Sequence, residues 1–367
     1  MPRKPDSKPR SIERIPVNLR QVSDRTFEGI CFSFFDKHPA FQKLAGDVCS
    51  QSFFVTGGSG VFGQWILTFF DWAKSRKLAS PQLTVLSRRQ PISPKCYWNV
   101  LRGDITDFQA PDRNYDYLIH LAAPSAQDTF AGMEDREKFK QLFNGAERIL
   151  AFAEKYIEKR SLITSSGAIY GGFGRDRSHP IGEDERLAPL FSSEVAGFAL
   201  GKRALEMLTS DACRRGGVDA SIARCFGFVG PKLPTNLHYA AGNFIADAVA
   251  RKALIINGDG SPVRSFMYLG DMVLWLLTIL FHGSTGSDYN VGSANPITIH
   301  DLAQLVARVG GRQSEVRTLC GSNKSVGNPS NYYYVPDTTK AREQLDLLEL
   351  TSLEEALNIF FEYQSKC

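Results

Sequence analysis

The stretch from Ser52 to Gln64 reads SFFVTGGSGVFGQ, and it decides the fold. Ser52 to Thr56 is a short run of apolar and β-prone residues, which predicts one buried strand. Three glycines follow at a G-x-x-G-x-x-G spacing, and the segment from Val61 to Trp72 predicts a helix. Strand, glycine turn and helix in this order predict the start of an α/β domain with a parallel sheet. The glycines are Gly57, Gly60 and Gly63.

This glycine turn suits the pyrophosphate of a dinucleotide. Glycine permits a positive φ and lets the backbone come close to the phosphates, while the helix N-terminus offers free N–H groups and a partial positive charge. The same pattern could form a tight turn without a ligand, but the segments downstream favour a cofactor site. The residues expected to contact the cofactor here are Gly57, Gly60, Val61, Phe62 and Gly63.

Length and composition are those of an ordinary globular protein. With 367 residues, 43% of them hydrophobic and 22% charged, the chain can bury a large core. A net charge of +4 is too small to indicate nucleic-acid binding, although it suits an anionic ligand. The seven cysteines are scattered without a C-x-x-C pair, which favours free thiols in a reducing, cytoplasmic compartment over disulfides or a metal site. No apolar run approaches the roughly 20 residues of a membrane span, and the N-terminus lacks the apolar core of a secretory signal.

The residues after the second predicted strand, Leu83 to Leu86, bear on the choice of cofactor. An acidic residue at this place would bind the ribose hydroxyls of NAD. This chain has Ser87, Arg88 and Arg89 instead, and arginine forks match the oxygens of a 2′-phosphate. The sequence therefore favours NADP over NAD, the alternative being that both arginines are surface charges.

Two further strand ends complete the expected cofactor site. The segment from Val100 to Thr106 predicts a strand ending at Asp104, whose carboxylate could accept from the adenine amino group while Ile105 lies against the ring. Tyr117 to Ala123 predicts a buried strand whose small terminal residues leave room for the cofactor. We expect His120 to be a core histidine with satisfied hydrogen bonds. The terminal residues of that strand are Leu121, Ala122 and Ala123.

Hydroxyl groups and a lysine follow later in the chain. Ser161 to Thr164 predicts a strand that runs into Ser165 and Ser166, and hydroxyls at such a strand end face the ligand crevice of an open α/β sheet. Phe198 and Lys202 lie at positions i and i+4 of a predicted helix, so they share one face.

These segments together resemble the extended short-chain dehydrogenase/reductases, the nucleotide-sugar epimerase/dehydratase family. The resemblance covers about residues 50 to 360 and implies a Rossmann-type doubly wound parallel sheet with a smaller C-terminal α/β lobe for a nucleoside-diphosphate sugar. It also implies a homodimer. The matching segments are Thr56 to Gly63, Gly103–Asp104, His120 to Ala123, Ser165 to Gly171, Arg224 to Pro231, Gly258 to Gly260, Arg264 to Tyr268 with Asp271, and Tyr289 to Gly292.

We expect three parts along the chain. Residues 1–47 form an N-terminal extension with a mobile basic tail and a helical segment, Val22 to Leu44, that packs on the main domain or on a second subunit. Residues 48–230 form the NAD(P)-binding domain. Residues 231–367 form mainly the substrate lobe, with 265–293 returning to the first domain.

The resemblance places the chemistry at three positions. Family members transfer a hydride between nicotinamide and a sugar carbon. A tyrosine exchanges the hydroxyl proton, a lysine four residues later lowers the pKa of that tyrosine, and a Ser or Thr shares the proton. Carried over, Ser166 is the hydroxyl and Lys202 the lysine, while Phe198 stands where the tyrosine would be. Phenylalanine has no proton to exchange.

Three accounts of Phe198 remain open at this point. It could be a deliberate Tyr→Phe change that traps substrate in an otherwise active enzyme, and the intact surroundings favour this account. It could be a natural change in a protein that binds nucleotides without turnover. Another group, such as Tyr170 or Ser166 through water, could also supply the proton.

The reaction type is narrowed by the residues after Ser166. Relatives that remove water across C5–C6 carry Asp-Glu there, whereas this chain has Gly167 and Ala168. A 4,6-dehydratase is therefore disfavoured, and an epimerase or 4-ketoreductase is preferred. A uronic-acid decarboxylase, which needs only oxidation followed by loss of carbon dioxide, stays open.

The substrate end rests mainly on the resemblance. Arg264 would meet the diphosphate, and Gly227 stands where related enzymes commonly have the Asn that contacts the sugar phosphate. We expect Asp271 to be a helix N-cap. The expected substrate-binding residues are Ser165, Ser166, Gly167, Tyr170, His238, Asn243 and Arg264.

Overall fold

A computed structural model describes the protein over residues 17–88, 95, 97–124, 128, 132–171, 179–185, 188–189, 196–237, 239–310, 315–319 and 333–367. Side chains are described from residue 24 onward. The mobile tail expected at the start of the chain falls largely on residues 1–16, outside the described part.

The described chain alternates strands and helices, as an α/β fold requires. The strands are β1 (Ser52–Thr56), β2 (Gln82–Ser87), β3 (Trp98–Arg102), β4 (Tyr115–His120), β5 (Ile157–Ser166), β6 (Ala220–Cys225), β7 (Phe228–Val229), β8 (Leu254–Asn257), β9 (Val263–Arg264), β10 (Met267–Tyr268), β11 (Asp288–Val291), β12 (Ile297–Thr298), β13 (Val316–Leu319) and β14 (Tyr333–Tyr334). The α-helices are α1 (Val17–Lys37), α2 (Pro39–Val48), α3 (Val61–Ser75), α4 (Asp135–Tyr156), α5 (Ala196–Arg214), α6 (Ala240–Val249), α7 (Leu269–His282), α8 (Ile299–Val309), α9 (Thr339–Leu345) and α10 (Leu353–Ser365).

A seven-stranded parallel sheet forms the centre, in the order β11-β6-β5-β4-β1-β2-β3. This is the Rossmann-type doubly wound sheet that the sequence predicts. The chain builds β1, β2 and β3 outward in one direction and then crosses to β4 on the other side of β1. Ligands of open α/β sheets bind at such a switch point, outside the carboxyl ends of the strands.

Strand β1 anchors the sheet because both of its faces are covered. Phe53, Phe54 and Val55 are fully buried. Successive side chains of a strand point to opposite faces. The Phe53 ring accordingly packs 4.9 Å from Phe70 of α3, while the Phe54 ring packs 4.4 Å from Phe152 of α4. The glycine turn therefore follows a strand that is packed on both faces.

Smaller sheets stand beside this centre. Strands β12, β9 and β14 form one sheet, β8 pairs with β13, and β7 pairs with β10. Strand β11 lies at the edge of the large sheet beside β6. The division of the chain into an extension, a cofactor domain and a substrate lobe stays a prediction.

The N-terminal helical segment is two helices rather than one. Pro39 has no N–H to donate and disfavours helical geometry at His38, so α1 ends at Lys37 and α2 starts at Pro39. Both helices pack on α3 and α7. The fully buried Phe35 ring, for example, lies 5.6 Å from the Phe69 ring of α3. The segment is thus part of the main hydrophobic core.

Strand β3 is shifted from its predicted position. It ends at Arg102, not at Asp104, because the chain turns at Gly103, where a Cβ would lie 2.9 Å from the Phe108 side chain. Asp104 begins the turn that follows: its carboxylate accepts from the Thr106 N–H at 3.0 Å, and its carbonyl accepts from the Phe108 N–H at 2.9 Å.

The N-cap expected at Asp271 is wrong. Helix α7 starts at Leu269, and Asp271 lies inside its first turn, fully buried. Its carboxylate accepts from the backbone N–H groups of Leu350 and Thr351 at 3.1 and 3.0 Å. Asp271 therefore ties α7 to the segment before α10, across about 80 residues of sequence.

We predict that Asp271→Ala destabilises the protein strongly. Removing the carboxylate leaves two buried backbone N–H groups without an acceptor, which lowers the free energy of unfolding by about 2–4 kcal/mol. Urea unfolding measures this change. Asp211→Ala serves as the control because Asp211 is exposed and pairs only with Arg214 and Arg215 at the surface, where the loss is about 0–1 kcal/mol. Equal stability of the two variants would contradict the prediction.

Candidate functional site

The glycine turn presses against the end of the neighbouring strand β4. Gly57 has φ +74°, and a Cβ there would lie 2.7 Å from the Ala122 nitrogen and the Leu121 carbonyl carbon. A Cβ on Gly63 would overlap the Gly57 carbonyl oxygen. These contacts allow only glycine, and they leave the N-terminus of α3 open toward the crevice. The turn has the shape that a dinucleotide pyrophosphate requires.

A cavity of about 220 Å³ adjoins this turn and could receive the adenosine half of a dinucleotide. Its walls come from the ends of β1, β2, β3 and β4 and from helix α4. Most of the cofactor residues predicted along the first four strands meet here. The predicted residues that line it are Gly57, Gly60, Ser87, Arg88, Asp104, Ile105, Leu121, Ala122 and Ala123.

Arg88 is held by two carboxylates in this cavity. Its guanidinium Nε lies 3.8 Å from Asp104 Oδ2, and its Nη2 lies 3.6 Å from Asp128 Oδ2. Both carboxylates line the same cavity. A 2′-phosphate would therefore compete with them for the arginine. Arg89, predicted beside it, lies outside the described residues.

His120 is a buried histidine with a satisfied hydrogen bond, as predicted. Its Nδ1 lies 2.8 Å from the Thr56 hydroxyl. Burial, together with the nearby Lys202 ammonium, lowers the pKa of His120 to about 3. The ring is therefore neutral at physiological pH, and its part in the site is to hold the end of β1 to the end of β4.

Lys202 projects from α5 under the end of β5. Its Nζ donates to the Thr164 carbonyl at 2.7 Å, and the side chain is buried. Burial lowers the pKa of Lys202 to about 8. Phe198 lies one turn earlier on the same helix and is partly buried. The Lys202 ammonium is thus fixed at the carbonyl of Thr164, which lies two residues before Ser166 in the chain. The Phe198 side chain, on the same helix, cannot exchange a proton.

The two serines at the end of β5 differ in their exposure. Ser166 is partly exposed, and its Oγ accepts from the Ala168 N–H at 3.2 Å at the start of the 3-10 turn Gly167–Tyr170. Ser165 is buried, because neighbouring side chains on a strand point to opposite faces. The substrate contacts predicted for Ser165 and Ser166 both stay predictions, and the Ser166 hydroxyl is the more exposed of the two.

The hydroxyl of Tyr170, predicted as a substrate contact, is bonded to two protein side chains. The side chain is fully buried, and its hydroxyl donates to Asn290 Oδ1 at 2.9 Å while accepting from Arg224 Nη1 at 2.9 Å. Burial raises the pKa of this phenol, and Arg224 only partly opposes that effect. Tyr170 is a structural link between β5, β6 and β11, so it does not supply a proton to the crevice.

A larger cleft of about 740 Å³ continues from the glycine turn toward the C-terminal half. Gly57, Gly60, Val61, Phe62 and Gly63 form one wall, so the two cavities meet at this turn. Arg264 lies on the opposite side, where burial lowers the pKa of its guanidinium. This is the volume in which a ligand with a second diphosphate could lie beside the cofactor.

Gly227 lines the same cleft and cannot carry a larger residue. A Cβ there would overlap the Ser265 carbonyl oxygen. The asparagine contact of related enzymes is therefore absent for a packing reason. The Asn243 amide donates to the Leu237 carbonyl at 2.6 Å, which ties the first turn of α6 to the segment before it, and its substrate contact stays a prediction. His238 lies outside the described residues.

Two residues that the sequence did not predict stand at or beside this cleft. Lys232 lines it and forms an ion pair with Asp24 of α1 at 2.6 Å. Tyr334 of β14 packs on the lining residues Arg264 and Phe226 and reaches Ser166 with its side-chain hydroxyl. In the sequence Tyr334 is simply the last of three consecutive tyrosines. Its contact with Ser166 joins residues far apart in the chain and has no local signature.

The described residues contain neither a metal-binding cluster nor a membrane-spanning helix. No group of three or more His, Cys, Asp and Glu side chains in the described part of the chain is placed to hold a metal ion. None of the helices within the described ranges combines the length and apolarity needed to cross a membrane.

Comparison with known proteins identifies what the chain is similar to. The sequence model of the NAD dependent epimerase/dehydratase family matches residues 53–292. UDP-glucuronic acid decarboxylase 1 of Arabidopsis thaliana is 28% identical over 244 residues, which are 66% of this chain and 53% of that protein. UDP-glucuronic acid decarboxylase 5 of the same plant is 28% identical over 267 residues, 72% of this chain and 74% of that protein. The chain thus spans little more than half the length of the first of these relatives.

Solved structures with the same fold include two epimerases. An epimerase from Methanothermobacter thermautotrophicus has a TM-score of 0.72 at 21% identity, covering 89% of this chain and 96% of that one. A UDP-glucose 4-epimerase from Thermotoga maritima, solved with UDP-glucose, has a TM-score of 0.71 at 23% identity, covering 85% and 98%. At these identities the likeness shows the fold.

Proposed function

The chain belongs to the NAD dependent epimerase/dehydratase family, and we propose that it modifies a nucleoside-diphosphate sugar by hydride transfer at C4, as an epimerase or a 4-ketoreductase. The cofactor is the nicotinamide dinucleotide of this family, and the residues of the glycine turn fit it. When bound, it supplies the hydride acceptor or donor. The protein's own residues bind and orient the sugar and handle its proton.

The placement of Lys202 is the observation that carries the proposal. Its Nζ bonds to the Thr164 carbonyl, which fixes a cation beside the strand that ends at Ser166. Ser166 then offers a partly exposed hydroxyl at the end of β5, and the glycine turn marks where the pyrophosphate would lie. In this arrangement Lys202 would orient the nicotinamide ribose and Ser166 would bind the sugar oxygen at the reacting carbon.

The residues after Ser166 support hydride-only chemistry. A Cβ at position 167 would overlap the Tyr334 hydroxyl and lie 2.9 Å from the Phe226 ring. No acidic side chain can therefore occupy this position without moving both rings. An enzyme that removes water across C5–C6 needs an acid and a base here, so the proposal excludes 4,6-dehydration.

A uronic-acid decarboxylase is the second candidate. UDP-glucuronic acid decarboxylases from Arabidopsis thaliana favour it, since two of them match 66% and 72% of this chain. Oxidation at C4 followed by loss of carbon dioxide uses the same Lys202 and Ser166 placement. Arg264 would bind the diphosphate in either reaction. A nucleotide-binding protein without turnover is the alternative of another class.

The test is turnover of a substrate panel by a protein with the phenol restored. We predict that Phe198→Tyr converts at least one of UDP-glucose, UDP-N-acetylglucosamine, UDP-glucuronic acid and dTDP-glucose, because Lys202 and Ser166 are already in place. Product masses separate epimerisation, reduction and decarboxylation, and Phe361→Tyr is the matched control for an added hydroxyl elsewhere. No turnover by Phe198→Tyr with NAD or NADP across the panel would overturn the proposed enzyme function and leave the non-catalytic alternative.

We also propose that Arg88 makes the site prefer NADP. Its guanidinium stands at the end of β2 next to Ser87, where a 2′-phosphate of the adenosine ribose would lie. We predict that Arg88→Ala raises the Kd of NADP about 10-fold or more and leaves that of NAD within about threefold, since only NADP carries the phosphate. Asp128→Asn should tighten NADP by removing a competing carboxylate. Calorimetry measures these affinities, and tighter binding of NAD than of NADP by the unaltered protein would contradict the preference.

A homodimer through α4 and α5 is proposed as well. These helices pack on each other and expose apolar side chains, among them Phe139 at 37% and Met207 at 60%. We predict that light scattering gives the mass of two chains and that Met207→Glu shifts it toward one, because a carboxylate would have to be buried. Leu348→Glu is the control, since Leu348 is 54% exposed and lies outside both helices. A single-chain mass for the unaltered protein would contradict the dimer.

A further inference from the structure

Tyr334 reaches from the C-terminal half of the chain to the end of β5. It lies on β14, which pairs with β9 so that Tyr334 is in register with Arg264. The Arg264 guanidinium carbon lies 5.9 Å from the centre of the Tyr334 ring. The hydroxyl at the far end of the ring is hydrogen-bonded to the side chain of Ser166. One residue thus connects the proposed diphosphate arginine with the proposed catalytic serine.

The space for this hydroxyl is provided by Gly167. A Cβ at position 167 would overlap the Tyr334 hydroxyl, so the phenol occupies the volume that a side chain would otherwise fill. The Phe226 ring closes the other side, with its centre 4.8 Å from that of Tyr334. The hydroxyl is therefore held between Ser166, Gly167 and Phe226.

The charge state of Tyr334 suits a proton donor. Burial raises the pKa of Tyr334, while Arg264 and the hydrogen bond to Ser166 act in the opposite direction. The phenol is therefore protonated at neutral pH, with a cation and a hydroxyl placed to stabilise the phenolate when it forms. Tyr170, the other tyrosine near this strand end, has its hydroxyl bonded to Asn290 and Arg224 and is not available.

We propose that Tyr334 supplies, through Ser166, the proton that the phenylalanine at position 198 cannot supply. The proposal rests on the proposed function. When the carbonyl of a ketosugar is reduced at this site, the bound cofactor would supply the hydride, and Ser166 would give its hydroxyl proton to the sugar oxygen and take the Tyr334 proton. The Tyr334 phenolate is then reprotonated by water.

Removal of the Tyr334 hydroxyl tests the proposal. We expect Tyr334→Phe to lower kcat about 100-fold or more, the usual contribution of a general acid, while KM for the nucleotide sugar stays within about threefold. The affinities for UDP and NADP, measured by calorimetry without turnover, should not change, because Phe keeps the ring contacts with Arg264 and Phe226. Tyr333→Phe is the matched control, since alternation along β14 places its side chain on the opposite face. It should keep the kcat of the unaltered protein.

A double variant separates proton transfer from a packing role. A phenol at position 198 should make Tyr334 dispensable, so Phe198→Tyr combined with Tyr334→Phe should recover kcat to within about 10-fold of Phe198→Tyr alone. Failure of this rescue, or loss of UDP affinity in Tyr334→Phe, would show a structural role and overturn the proposal.

Two further outcomes separate this proposal from the proposed function. If the unaltered protein has no turnover while Phe198→Tyr does, or if Tyr334→Phe keeps the unaltered kcat, the function stands and the role of Tyr334 is wrong. If Phe198→Tyr has no turnover across the substrate panel, both proposals fall.

Discussion

The site depends on the contact between the backbone of Gly57 and the backbone at the end of β4. A Cβ at Gly57 would lie 2.7 Å from backbone atoms of Leu121 and Ala122, so the backbones after β1 and β4 lie against each other with no room for a side chain at position 57. The His120–Thr56 hydrogen bond fixes the same two strand ends from below. The crevice at the switch point of the sheet opens where this contact ends. Both cavities therefore share the glycine turn as a common wall.

Buried polar groups set the chemistry of the crevice. Lys202 is held by a backbone carbonyl rather than by a carboxylate, so burial is not offset by a strong ion pair and the pKa of the ammonium falls to about 8. Arg224, by contrast, is held by Glu206 at 2.9 Å and stays charged. The Lys202 ammonium remains available to a ligand, whereas the Arg224 guanidinium joins β6 to α5, to β11 through Asp288 and to Tyr170. The two buried cations, one on a helix and one on a strand, thus have different tasks.

What could be predicted from the sequence was mainly local. The bounds of β1, the glycine turn and the shared helical face of Phe198 and Lys202 follow from patterns within a few residues, and the parallel sheet follows from the alternation of such patterns. Asp271 and Tyr170 were misjudged because their partners, Thr351 and Arg224, are far away in sequence. Each residue also has a plausible interpretation from its neighbours in the sequence, Asp271 as a helix cap and Tyr170 as part of a family motif. Only the folded chain shows which partner satisfies the buried group.

The packing around Gly167 links reaction class to fold. The glycine that removes the acid–base pair of a dehydratase is also the glycine that admits the Tyr334 hydroxyl to Ser166. A phenol entering from β14 needs the empty position at 167, and an acidic residue at 167 would expel it. Gly227 shows the same principle farther along the cleft, where the Ser265 carbonyl fills the place of a side chain. Both departures from related sequences therefore have a packing reason at their own position.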